Sequence, residues 1–412
     1  MINLDRIRHA ASTLKDVIRE TDLIIASNLS TDAQIYLKTE NLQITGSFKL
    51  RGAYYKVSQL SDEQKRAGIV ASSAGNHAQG VALAATKMGI RSVICMPDGA
   101  PISKVEATKR LGAEVILVKG SYDDAYFHAM ALQEKTGATF IHPFDDDAVI
   151  TGQGTIGLEI LDQLADVDAI VVPVGGGGLI SGVAYAAKSL NPGIKIYGVQ
   201  AACAACMYES VQRKQPVTLE TVPTFADGIA VKTPGCNTLS MVNKYVDEIV
   251  TVSEDEIAAA ILALMEKQKL VSEGAGAVSV AAVMFNKLPV AGQKVVCILS
   301  GGNIDVNILS RVITRGLVTS GRNTTLQIAL EDKPGQLQGV SEIISRCGGN
   351  VVRLHYEGSD PNMAITSCIL TIGLETRDFA QIEEINKALT AAGFLIFPIR
   401  DQRKDVPHEK FR

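Results

Sequence analysis

Ala169-Ile-Val-Val-Pro-Val-Gly-Gly-Gly-Gly-Leu179 decides the fold. Its six leading residues are all apolar, with no polar alternate. That is the pattern of a strand buried on both faces, as happens when helices cover both sides of a parallel sheet. The run Leu179 to Leu190 predicts a helix, so the four glycines sit where a strand gives way to a helix N-terminus. Such a point offers unpaired N–H groups and a positive dipole end, and glycine lets an anion come close; phosphate is the expected ligand. The plainer reading is a tight turn whose glycines serve packing alone. A dinucleotide is excluded by spacing. GxGxxG begun at Gly175 ends on Ile180, begun at Gly176 it ends on Ser181, and the next strand finishes at Gln200 instead of an acid. GxxxxGK[ST] occurs nowhere in the chain.

Outward from this point strands and helices alternate. Toward the N-terminus, Ile69 to Ser73, Arg91 to Met96, Glu114 to Val118 and Thr139 to Ile141 read as strands. His77 to Met88, Pro101 to Leu111 and Tyr122 to Lys135 read as helices between them. Toward the C-terminus come a helix at Gly154 to Leu164, strands at Lys195 to Gln200 and Lys294 to Leu299, and a long helix at Glu254 to Lys269. The succession implies an α/β fold with parallel sheets. After Arg322 the texture changes. Strands at Leu326 to Leu330, Asn350 to Tyr356, Ile365 to Leu374 and Phe394 to Phe397, with two amphipathic stretches interposed, give the order βαββαβ of a ferredoxin-like unit. The expected organisation is a catalytic domain over 1–319 with a mobile small lobe about 46–145, a linker at 320–323, a regulatory domain over 324–400 and a polar tail over 401–412.

Composition narrows the function. A length of 412 residues calls for more than one packing unit. The net charge of −4 argues against a nucleic-acid or anionic-membrane surface. No stretch is long and apolar enough to span a bilayer, and Met1 to Ala10 lacks the apolar segment of a signal peptide, so a cytoplasmic protein is expected. Seven scattered cysteines read as reduced thiols. Cys203 and Cys206 form a CxxC without a second ligand pair, so no metal is expected.

Three further motifs carry chemistry. In Thr45-Gly-Ser-Phe-Lys-Leu-Arg-Gly52, Thr45 or Ser47 is expected to cap a helix holding Lys49 and Arg51. The dipole and the neighbouring guanidinium would lower the pKa of Lys49, which suits Schiff-base chemistry. Ser72-Ser-Ala-Gly-Asn-His-Ala-Gln-Gly80 lies at a strand-to-helix junction and can receive a carboxylate; for His77 a structural role weighs more than a catalytic one. Ser300-Gly-Gly-Asn303 ends another buried strand, where ligands bind in open parallel sheets.

Together these motifs resemble the fold-type II pyridoxal-phosphate enzymes, the tryptophan-synthase-β-like fold, and within them the group of threonine and serine dehydratases and serine racemases; the likeness spans about residues 5–316. The resemblance implies a two-lobed core and pyridoxal 5'-phosphate as cofactor. It implies that Lys49 holds the cofactor as a Schiff base, Phe48 packs beside it, Asn76 bonds its ring hydroxyl oxygen, and Ser300 faces its pyridine nitrogen. Gly175, Gly176, Gly177, Gly178 and Leu179 would cradle the phosphate, and Ser73, Ala74, Gly75, Asn76 and His77 would meet the substrate. Asp332-Lys-Pro-Gly-Gln-Leu337 with Gly349-Asn-Val351 resembles an ACT domain, which implies a small effector, often an amino acid, and pairing of chains into a homo-oligomer, a dimer or tetramer. Dimerisation alone is the plainer role.

The implied reaction is elimination of water from L-threonine, and from L-serine, giving 2-oxobutanoate or pyruvate and ammonia. A racemase and a pure amino-acid sensor are the alternatives. Serine racemases carry a second base, a serine, before the Gly-Asn-His of this loop; here it is Ala74, which holds no proton. The cation site of the racemases aligns with Gln200, Ala204 and Cys206, where both carboxylates are gone.

Overall fold

The fold is taken from a computed structural model, which describes residues 2–30, 32–358 and 366–397. The polar tail expected over 401–412 lies outside them. Contacts divide the chain after Asp305, so the helix Val306–Thr319 goes with the second unit, one helix earlier than the expected boundary at 320.

The first unit holds ten strands: β1 (Leu23–Ile25), β2 (Gln34–Lys38), β3 (Ile69–Ser72), β4 (Ser92–Pro97), β5 (Glu114–Val118), β6 (Thr139–Phe140), β7 (Ala169–Pro173), β8 (Lys195–Ala201), β9 (Glu248–Val252) and β10 (Lys294–Ile298). They form a six-stranded sheet in the order β1-β2-β10-β7-β8-β9 and a four-stranded sheet in the order β5-β4-β3-β6. Every pairing is parallel except β1 with β2. As the apolar run predicts, β7 is buried at all five residues. Ile170, Val172, Ile196, Ile249, Val296 and Ile298 join Ile180 and Val183 of the helix Gly178–Leu190 in the main core. The smaller sheet is covered on one side by Val57, Val81, Ala82 and Val105 and on the other by Ala125 and Ala129.

One helix is longer than its sequence suggests. It runs Asp147–Gln163, with Asp146 accepting from the N–H groups of Ala148 and Val149. The expected helix opens at Gly154 and so misses the turns from Asp147 to Gln153, which include Gly152. Gly152, Gly154 and Gly157 each permit a close approach. A Cβ on Gly152 would lie 2.6 Å from the Arg51 carbonyl, one on Gly154 would lie 3.0 Å from that of Gly182, and one on Gly157 would lie 3.0 Å from that of Val183. The long helix expected over 254–269 is α-helical for Glu254–Ala263 and then widens to a π-turn over Leu264–Gln268.

The second unit carries β11 (Asn323–Glu331), β12 (Asn350–Glu357), β13 (Ser367–Glu375) and β14 (Leu395–Phe397), antiparallel in the order β12-β13-β11-β14. With the helices Gln336–Arg346 and Phe379–Ala391 this is the ferredoxin-like arrangement. Its core joins Ile328, Leu370 and Ile372 of the sheet to Val340, Ile344, Ile385 and Leu389 of the helices. Among the described residues no helix is long and apolar enough to cross a membrane.

Candidate active site

Parallel strands place their C-terminal ends on one side, and three motifs follow such ends: Ser73–Asn76 after β3, Gly175–Gly178 after β7 and Ser300–Asn303 after β10. The Lys49 segment is tied to the third. The Phe48 N–H donates to the Ser300 carbonyl at 3.1 Å, and Ser47 forms an antiparallel bridge with Gly301. This pairing explains a departure from expectation. Neither Thr45 nor Ser47 caps the helix Lys49–Ser58; its cap position is Phe48, without a side-chain bond, because the backbone at Ser47 is engaged with the strand end.

The Lys49 amine donates to the Pro143 carbonyl at 2.9 Å, an oxygen without full charge. Burial of that amine lowers its pKa to about 8, while the Glu273 carboxylate works the other way. The direction is as expected, but the cause differs. Arg51 is not an unpaired neighbouring cation: its guanidinium, fully buried, bonds Glu40 at 2.8 and 2.9 Å and is paired with Glu159. Lys38 joins the same cluster through Glu159 at 2.7 Å. Burial alone would drive Glu40 toward neutrality; Arg51, Thr21 and Lys38 overcome it and hold its carboxyl below the usual range.

Phe48 packs against the main core, with the Lys49 amine 5.3 Å from its ring centre. Ser300 is buried. Ser73, Ala74 and Gly75 are half-buried in the loop after a fully buried strand, and Asn76, also half-buried, opens the next helix, Asn76–Lys87. The Ser73 hydroxyl accepts the Gly75 N–H at 3.2 Å. His77 turns away from a catalytic role: its Nε2 pairs with the Ile141 carbonyl at 2.8 Å, and burial together with Lys49 holds its pKa at about 3. Of the glycine loop, Gly177 has φ +96, in the left-handed region, and Gly178 opens the helix. The Leu179 side chain belongs to the core, which leaves its N–H to the loop.

Several contributors were not found by sequence reasoning. Phe144 lies over the glycine loop, 2.5 Å from where a Cβ on Gly176 would stand. The loop His142–Asp146 that carries it follows the end of β6, a position that could have singled it out. Thr238 donates to the Gly176 carbonyl at 2.6 Å. Asn76 donates to Glu273 at 2.6 Å and accepts from Asn303 at 2.7 Å. Lys104, on the helix Ile102–Arg110, is paired with Asp227.

At the expected non-site, the Gln200 amide donates to the Ala204 carbonyl at 3.2 Å, lies 4.0 Å from Cys206 Sγ, and accepts the Tyr208 N–H at 2.8 Å. Cys203 and Cys206 are both free thiols. Among the described residues no group of three or more His, Cys, Asp or Glu side chains could hold a metal.

The chain matches the family described as pyridoxal-phosphate dependent enzyme over residues 14–301. The L-threonine ammonia-lyase of Thermotoga maritima is 52% identical over 396 residues, 96% of this chain and 98% of that protein. Among solved structures, the processed form of threonine deaminase isoform 2 from Solanum lycopersicum matches with a TM-score of 0.71 at 40% identity, over 76% of this chain and 89% of that one. A maize serine racemase matches with a TM-score of 0.72 at 35% identity, over 77% of this chain and 98% of that one.

Proposed function

The chain belongs to the pyridoxal-phosphate dependent enzyme family, in its threonine ammonia-lyase branch, and on that premise we propose how its residues remove water and ammonia from L-threonine. The products are 2-oxobutanoate and ammonia, with L-serine as a second substrate giving pyruvate.

The donor set fits the cofactor. A buried amine whose proton is easily lost stands with a glycine-opened helix N-terminus, an oriented amide and a buried hydroxyl at neighbouring strand ends. Lys49 would hold the aldehyde carbon, the N–H groups of Gly175 to Leu179 the phosphate, Asn76 the ring hydroxyl oxygen and Ser300 the ring nitrogen, with Phe48 alongside. When bound, the cofactor supplies an electron-withdrawing ring that acidifies the α-C–H of an attached amino acid.

The rest of the chemistry falls to the chain. The observation that carries the reading is the Lys49 amine, buried, with its pKa lowered to about 8 and anchored on a carbonyl. Such an amine spends an appreciable fraction of its time unprotonated at neutral pH, so it can take the α-proton. The loop Ser73 to Asn76 would receive the substrate carboxylate on backbone N–H groups. Ala74 carries no proton, so one face of the substrate has a base and the other has none, which favours elimination over racemisation. The ferredoxin-like unit would bind an amino-acid effector and pair with that of another copy.

The test is full-length protein loaded with pyridoxal phosphate and supplied with L-threonine, L-serine and D-serine, with and without isoleucine or valine. Ammonia and 2-oxo acid should appear in equal amounts from the L-amino acids. Absence of 2-oxo acid, or D-enantiomer formed as fast as 2-oxo acid, would overturn the reading.

A further inference from the structure

Glu273 occupies the N-cap of the helix Gly274–Met284, yet its side chain makes no cap bond to that helix. The carboxylate turns into the site, where it accepts from Asn76 Nδ2 at 2.6 Å. The other end of the same amide is also engaged. Asn303 donates to Asn76 Oδ1 at 2.7 Å and to the Thr45 carbonyl at 2.8 Å. Space for the carboxylate comes from two glycines: a Cβ on Gly301 would strike Glu273 Oε1, and one on Gly228 would lie 3.2 Å from it. Glu273 is 4% exposed, and its own N–H donates to the Gly301 carbonyl at 3.1 Å. The charged groups facing it are Asp227, Lys104 and Lys49.

An asparagine amide has two orientations that exchange its donor and its acceptor. A carboxylate on one side and an NH2 group on the other admit only one of them. We infer that Glu273 is a positioning residue that fixes the Asn76 amide so that nitrogen, not oxygen, is offered to the cofactor's ring hydroxyl oxygen. The inference rests on the role proposed above for Asn76.

Glu273 does not lose its proton as easily as an exposed carboxyl. Burial first, then Asp227, push its pKa up to about 7, against the Asn76 hydrogen bond, Lys104 and Lys49. Above that pH the carboxylate requires a donor from Asn76. Below it a protonated Glu273 can itself donate, and only Asn303 still selects the orientation.

The experiment uses the full chain. The affinity for pyridoxal phosphate and the pH dependence of its visible absorption are measured for wild type, Glu273→Ala, Glu273→Gln, Asn76→Ala and the double variant Glu273→Ala/Asn76→Ala. Glu273→Ala should bind the cofactor about 10- to 100-fold more weakly, the range seen when outer-shell partners of metal ligands are lost. Glu273→Gln, whose carbonyl still accepts, should recover most of that affinity but lack a spectral step near pH 7 present in wild type. In the Asn76→Ala background, Glu273→Ala should change little further. Full additivity of the two substitutions, or a spectral step that persists in Glu273→Gln, would overturn the positioning role alone. A wild type that gives no cofactor band would overturn the functional reading, and this inference with it.

Discussion

In the first unit β2 to β10 run parallel to every strand they pair with, save β1; in the second, β11 to β14 pair only antiparallel. A parallel sheet sends all its C-terminal ends to one rim, where loops and helix N-termini converge. An antiparallel sheet alternates its ends and collects nothing at either rim. Instead it exposes strand surface, as at Val352, Leu354 and Tyr356 of β12. The interiors differ as well. The first unit buries Arg51, Lys38 and Glu40 beneath its site; the ion pairs Lys333–Glu331 and Lys387–Glu383 of the second are exposed, and its core is apolar. The candidate site lies at the rim of the first unit, and exposed strand surface is what the second offers.

The largest effect should come from Lys49→Ala. Turnover of L-threonine should fall at least about 10⁴-fold, the upper range for loss of a general base, with circular dichroism unchanged. Turnover near that of wild type would remove the rim from the chemistry. Arg51→Ala should come next. Removing one partner of a buried pair costs about 3–5 kcal/mol, because Glu40 and Glu159 are left uncompensated. In calorimetry only the first unit's transition should shift; equal shifts in both would mean that the two units unfold as one.

A smaller effect lies in pH. Only the neutral amine attacks an aldehyde, so the rate at which cofactor-free protein takes up pyridoxal phosphate should rise with pH through a midpoint near 8. Glu273→Gln removes a charge that favours the ammonium, and the midpoint should move down. A midpoint near the ordinary lysine value of 10.5 would show that the amine is not desolvated. The smallest effect on chemistry should come from deleting the second unit. Chains ending at Asp305 and at Arg322 should both eliminate water from L-threonine at close to the full-length rate and lose any response to isoleucine or valine. An effector shift that survives both truncations would move that site into the first unit.

The fold was legible where one residue type persists. The apolar run at Ala169 to Val174 announced β7, and the change to alternation after Arg322 announced the second sheet. Lys49, Asn76, the glycine loop and Ser300 could be singled out as candidates because each sits in a contiguous motif, the last three at strand ends. Glu273 was not. It meets Asn76 across 197 positions of chain, and at a helix N-cap it reads as a capping residue. Asn303 lies in a visible motif, but its partners Asn76 and Thr45 are more than 200 positions away and do not show in the sequence. The absent cap at Thr45 and Ser47 failed for a related reason: propensity is local, whereas the pairing with Gly301 that displaces it is not.

The helix that begins with Lys49 meets the helix Asp147–Gln163 backbone against backbone. A Cβ on Gly52 would lie 2.7 Å from the Val149 carbonyl, and one on Gly152 would lie 2.6 Å from that of Arg51. Most helix pairs are separated by side chains, which can change rotamer and absorb a displacement. At Gly152 this pair has no such cushion, since an added Cβ would meet only backbone; at Gly52 the Gln153 side chain also lies in the way. The position of the helix that opens with Lys49 is therefore held by a hard stop at Gly152, and an added methyl there would push on the Arg51 and Gly52 backbone directly. Misplacing a reacting group by 1 Å can cost about 10²-fold in rate. Gly152 should thus be among the least forgiving positions in the chain, although it is not one of the residues assigned to cofactor or substrate.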